Sequence, residues 1–83
     1  MTAIRSIQLL QQHAHRLSPD KQAVARYVCE NWPLQQRLPK GVADKARDAY
    51  GRSVTNIADA QSIARELFLE AANLARISSK AEA

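Results

Sequence analysis

The chain has 83 residues, 46% hydrophobic and 24% charged, with a formal net charge of +4. That length allows a single domain with a thin core, because a chain this short removes only roughly 60–65% of its unfolded surface from water, and its average composition excludes disorder throughout. The single cysteine, Cys29, excludes an internal disulfide and a cysteine-based zinc site.

Ala, Leu, Arg and Gln dominate the sequence, which favours helix over sheet. The first helix is expected after Thr2 as N-cap, with Ile4, Ile7, Leu10, Ala14 and Leu17 forming an amphipathic stripe. It should end near Leu17, because SPDK is a new start signal. Ser18 caps, Pro19 fills the first helical position where its missing N–H costs nothing, and Asp20 complements the helix dipole. The second helix runs to about Asn31, with Val24, Tyr27 and Val28 facing the core. Pro33 and Pro39 then drive Trp32 and Leu38 out of helical geometry. Between them LQQRL is predicted as one helical turn that points Leu34 and Leu38 inward.

A third helix is expected from about Val42 to Tyr50, burying Val42, Ala46 and either Ala49 or Tyr50, with Gly51 as the left-handed residue that ends it. The last helix begins near Ser53 and continues to about Ser78, on the order of 37 Å. Ile57, Ala60, Ala64, Leu67, Ala71 and Leu74 form a heptad-like seam along it, and Ile63, Leu67, Leu74 and Ile77 a second apolar line, with Phe68 near its edge. The expected fold is all-α: one small four-helix domain over 1–78 with a helix-turn-helix-like trihelical core, a long C-terminal helix and a frayed tail at 79–83. The distal seam needs a cover. Either a second copy supplies it through Leu67, Ala71, Leu74 and Ile77, giving a homodimer, or the first helix folds back along it.

MTAIRSIQLL lacks the apolar core and cleavage site of a signal peptide, and no apolar run approaches a membrane span. A soluble, cytoplasmic protein that does not enter membranes is expected. The charge is unevenly placed: residues 1–52 hold nine Lys/Arg against four acids, and residues 53–83 three against four. The positive field of the first two-thirds suits an anionic partner, or serves solubility alone.

The stretch LSPDKQAVARYVCENWP (17–33) resembles the N-terminal helix-turn-helix domain of the RpiR-type transcription regulators. Leu17, Ser18, Val24, Ala25, Tyr27, Val28 and Asn31 match that family's first helix. VADKARDAYGRSVTNI (42–57) overlies the family's DNA-reading unit, with Ala46, Ala49 and Thr55 matching. The family's glycine falls on Tyr50, with Gly51 one place late, and its usual reading-helix arginine falls on Ala58. The resemblance covers about half the chain and does not extend to the sugar-phosphate-sensing domain. It implies double-stranded DNA as partner.

In a helix-turn-helix the second helix enters the major groove N-terminus first. On that expectation Arg52 meets a guanine edge or a phosphate, Ser53 and Thr55 donate to phosphates, and Asn56 reads adenine. Lys45 and Arg47 on the preceding helix, with Arg37 and Lys40 in the linker, neutralise flanking backbone. The plainer alternative makes Ser53 or Thr55 an N-cap and leaves Arg52 solvated, while Asp44, Asp48 and Asp59 would repel a phosphate they faced.

His13 and His15 stand two apart on a helix and point nearly opposite ways, so no metal site is expected. Cys29 reads as a small core filler, and Trp32 as a core lid or, alternatively, a partner anchor. No nucleophile elbow, triad or glycine-rich phosphate loop occurs, so neither enzyme activity nor a cofactor is expected. The functional expectation is a small DNA-binding transcriptional regulator acting through the basic segment 37–56. The alternative is a helical protein–protein interaction module, an inhibitor, adaptor or anti-factor of the kind phages and plasmids encode, docking on an acidic or nucleic-acid-binding partner.

Overall fold

The computed structural model describes residues 2–82, with side chains described for 5–77. Helix α1 covers Thr2–His13 and passes into a 3-10 turn, Ala14–Arg16; α2 covers Pro19–Asn31, α3 Lys40–Tyr50 and α4 Ile57–Glu82. The architecture is all-α, and no strand occurs among the described residues. The expected cap at Thr2 and the inward face of Ile4 rest on side chains outside the described residues, as does the character of the tail. The α4 backbone is helical to Glu82, four residues past the expected end.

The start of α2 follows its local chemistry. Ser18 Oγ accepts from the Lys21 amide and Pro19 takes the first helical position. Gln22 Nε2 donates to the Leu17 carbonyl (2.8 Å) and the His15 carbonyl (3.3 Å), binding the 3-10 turn to α2. At its other end α2 stops at Trp32, which is extended and joined to Pro33 by a cis peptide. The indole packs edge-on against Phe68 with ring centroids 5.1 Å apart.

Two expected elements differ. Residues 33–39 form no helical turn, although Leu34 and Leu38 are buried as expected. Gln61 Nε2 of α4 donates to the Leu34 carbonyl at 3.3 Å. Pro39 in turn holds Leu38 out of the helical region. Helix α4 begins at Ile57 rather than near Ser53. Asn56 Oδ1 accepts from the Asp59 amide at 2.9 Å, and Asp59 Oδ2 accepts from the Thr55 amide and hydroxyl at 3.3 and 3.5 Å. This is a reciprocal cap. Val54 is buried in the core, and residues 52–55 follow a non-helical path before the helix starts. Gly51 ends α3 as expected, at φ 70° and ψ 21°, with its amide on the Arg47 carbonyl at 2.7 Å.

Helix α1 runs along α4 and α3 lies on α2, and the domain measures 41 × 27 × 16 Å. Five of the thirteen core residues are alanines (Ala25, Ala46, Ala60, Ala64 and Ala71), which lets helix axes approach closely. Of the two covers available to the α4 seam, the chain uses its own first helix. Leu67 and Ala71 are buried in the core of this fold. Leu74 remains half-buried and Ile77 is 56% exposed.

Candidate nucleic-acid interface

The start of α3 is built differently from the starts of α2 and α4. Its N-cap is Pro39, no side chain caps it, and no acid stands in its first turn. Its first helical hydrogen bond runs from the Ala43 amide to the Pro39 carbonyl at 2.8 Å. The amides ahead of it therefore point outward with the positive end of the helix dipole. Beside Gly41 the space is open, with no atom within 4 Å of where a Cβ would stand. A groove of about 550 Å³ at this end gathers Arg37, Lys40 and Thr55 around a floor that includes Tyr27 and Val54. Neither Arg37 nor Lys40 has an ion pair among the described residues.

Arg47 lies seven residues after Lys40, two helical turns along the same flank of α3. Its contact with neighbouring Asp48, at 3.9 Å, leaves both groups more than half exposed. Lys45 occupies the opposite flank, where Asp20 of α2 meets it at 3.5 Å.

The α3–α4 joint is a closed network. Arg52 forks onto both oxygens of Glu66 and donates to Ser62 Oγ at 3.3 Å. The guanidinium lies 6.0 Å from the Tyr50 ring centre, and Lys21 Nζ lies 5.1 Å from it. Lys21 also pairs with Glu70 Oε1, and Tyr50 donates its hydroxyl to Glu70 Oε2 at 2.7 Å. Burial pushes the Tyr50 hydroxyl far above the usual phenol range. Its hydrogen bond to Glu70 and the charges of Glu70 and Glu66 act in the same direction, against Arg52. Tyr50 is thus a fixed neutral donor at neutral pH.

The structure brings Arg37, Lys40 and Thr55 together and sets Arg47 on the adjoining flank. Lys45 and Arg52 stand apart from them, each facing an internal carboxylate. Ser53 is exposed. Thr55 and Asn56, expected at the tip of an inserted helix, are occupied with Asp59 in closing the start of α4. Moreover, α3 and α4 are joined by the six residues 51–56, where a helix-turn-helix uses about three or four. At the start of α4 the Asp59 amide is thus already bonded to Asn56, and the Asp59 carboxylate stands beside Thr55.

Sequence reasoning missed Tyr50, Ser62, Glu66 and Glu70 as shapers of this region. The available signal was the spacing of Ser62, Glu66 and Glu70, each four apart and hence on one flank of α4.

His13 closes α1 and His15 lies in the 3-10 turn. Among the described residues no group of three His, Cys, Asp or Glu could hold a metal ion, and no helix is long and apolar enough to cross a membrane. Cys29 is half-buried with Sγ 4.0 Å from the Ile7 carbonyl, and burial, aided by Glu30, pushes its thiol up and away from the reactive thiolate. No family model matches the chain, and no curated protein or solved structure matches it either.

Proposed function

We propose that this protein is a small DNA-binding transcriptional regulator that contacts duplex DNA through the basic segment 37–56, with the phosphate backbone seated at the open start of α3. One observation carries the reading: two cations with no ion pair among the described residues, Arg37 and Lys40, share a groove with Thr55 beside a helix start that no side chain caps. Outward amides, a lysine and an arginine are the groups that hold phosphate oxygens and fix a protein's register on a duplex. Arg47 extends the same flank. The excess of positive charge in residues 1–52 and the resemblance of 17–57 to the RpiR-type helix-turn-helix domain support the same partner.

The test is fluorescence anisotropy of a labelled generic duplex titrated with the protein across a salt series. Three neutralised phosphates (at Arg37, Lys40 and Arg47) give an expected slope of about −3 in log affinity against log salt. Absence of binding at low salt would overturn the reading.

A second reading, the helical protein-interaction module, is favoured by a separate observation. Leu69 is 65% exposed and Ile77 56% exposed on α4, outside the basic region. Under that reading a pull-down recovers one stoichiometric protein partner, lost in Leu69→Ser, while duplex DNA is ignored. Self-association through Leu74 and Ile77 is read by sizing: a homodimer runs at twice the monomer mass and reverts in Ile77→Ser.

A further inference from the structure

We infer that Arg52 and Ser62 form a phosphate seat that Glu66 occupies in the resting fold, so that the Glu66 carboxylate competes internally with a nucleic-acid backbone. The inference rests on the proposed DNA contact of segment 37–56 and adds a control to it. The guanidinium of Arg52 spans both oxygens of Glu66, the geometry that also receives a phosphodiester. Ser62 Oγ accepts from the same guanidinium at 3.3 Å, which leaves its O–H to donate to an anion.

The seat stays in place when the anion changes. Arg52 lies over the Tyr50 ring, and Tyr50 is itself held by Glu70, which Lys21 pairs. Glu66, by contrast, is held only by Arg52 among the described residues. The pair is also open to solvent, with side chains 48% and 38% exposed. Exposed pairs of this kind are weak, so a further phosphate of a duplex already held by Arg37 and Lys40 at the other end of α3 can displace the carboxylate, which swings into water. Opening the seat adds a cation to the interface only when a polyanion is present, which makes Glu66 a threshold on binding.

The experiment compares Glu66→Gln, an uncharged side chain of the same shape, with Glu30→Gln in the anisotropy assay. Glu30 is an exposed carboxylate on α2 with no ion pair among the described residues, so its variant changes net charge equally. Glu66→Gln is expected to tighten duplex binding about threefold to tenfold at low salt and to steepen the salt slope by about one. Glu30→Gln should give a smaller gain and an unchanged slope. Adding Arg52→Ala to Glu66→Gln should abolish the gain, and adding Ser62→Ala should reduce it, with melting curves confirming that each variant is folded. Equal gains in the Glu66 and Glu30 variants, or a gain that survives Arg52→Ala, would overturn the seat while leaving the DNA contact standing. Silence of the parent protein and all variants toward DNA would overturn the contact and the seat together.

Discussion

Two helix starts separated by a single short helix handle the same physical problem in opposite ways. Each leaves amides without helical partners. At α4 the chain answers one of them internally, with Asn56 accepting from the Asp59 amide, and the Asp59 carboxylate in turn accepts from Thr55 just ahead of the helix. At α3 the residue in the capping position is a proline, the first turn carries no acid, and two cations stand nearby with no ion pair among the described residues. A helix end that carries its own cap and its own carboxylate gains less from an outside anion. An end left uncapped beside two cations gains more. The comparison therefore separates residues that hold the fold from residues free to bind, although both groups are polar and exposed.

The largest expected effect comes from disarming the open end. Arg37→Ala with Lys40→Ala should weaken duplex binding about tenfold to a hundredfold near physiological salt and flatten the salt slope by about two. The melting temperature should stay nearly unchanged, because neither side chain holds another described residue. A variant that melted early would erase the distinction.

The closed joint should behave in reverse. Tyr50→Phe removes a hydrogen bond to a charged acceptor and should cost about 1.5–2 kcal/mol in urea unfolding. Because the Tyr50 hydroxyl titrates far above its unfolded value, its contribution is complete below the ordinary tyrosine range, near pH 10, and declines as pH rises beyond it. The parent protein should thus lose stability at alkaline pH more steeply than Tyr50→Phe, as read by unfolding curves at successive pH values.

Asn56→Ala, which deletes the α4 cap, should cost about 1 kcal/mol and lower the melting temperature by roughly 4–8 °C, with little change in DNA affinity. The smallest effect is the most discriminating. Pro39→Asp gives α3 the cap and the negative charge it lacks, so it should stabilise the fold by about 0.5–1 kcal/mol while weakening DNA binding. Calorimetry and anisotropy on that one variant should move in opposite directions.

Much of this was legible where local chemistry has one solution. Ser18, Pro19 and Asp20 admit a single reading, and Gly51 is the residue that reaches a positive φ without strain. The start of α4 was ambiguous because Ser53, Thr55 and Asn56 are all competent caps. The choice was made by the burial of Val54 and by Asp59, which acts three residues downstream of Asn56. In 33–39 the inward residues were readable and the backbone was not, since the Leu34 carbonyl bonds Gln61, twenty-seven residues away in the chain. The fate of Arg52 was hidden for the same reason. Its partner Glu66 lies fourteen residues on, across a joint whose path only the packed structure fixes.

The five alanines at the helix contacts carry a consequence of their own. A methyl group has almost nothing to surrender, so at Ala25, Ala46, Ala60, Ala64 and Ala71 truncation is a small injury. Growth is the injury that counts: one extra branch wedges two backbones apart along their whole shared length. The architecture is thus guarded against bulk rather than against loss, and drift at these places is confined to the smallest side chains.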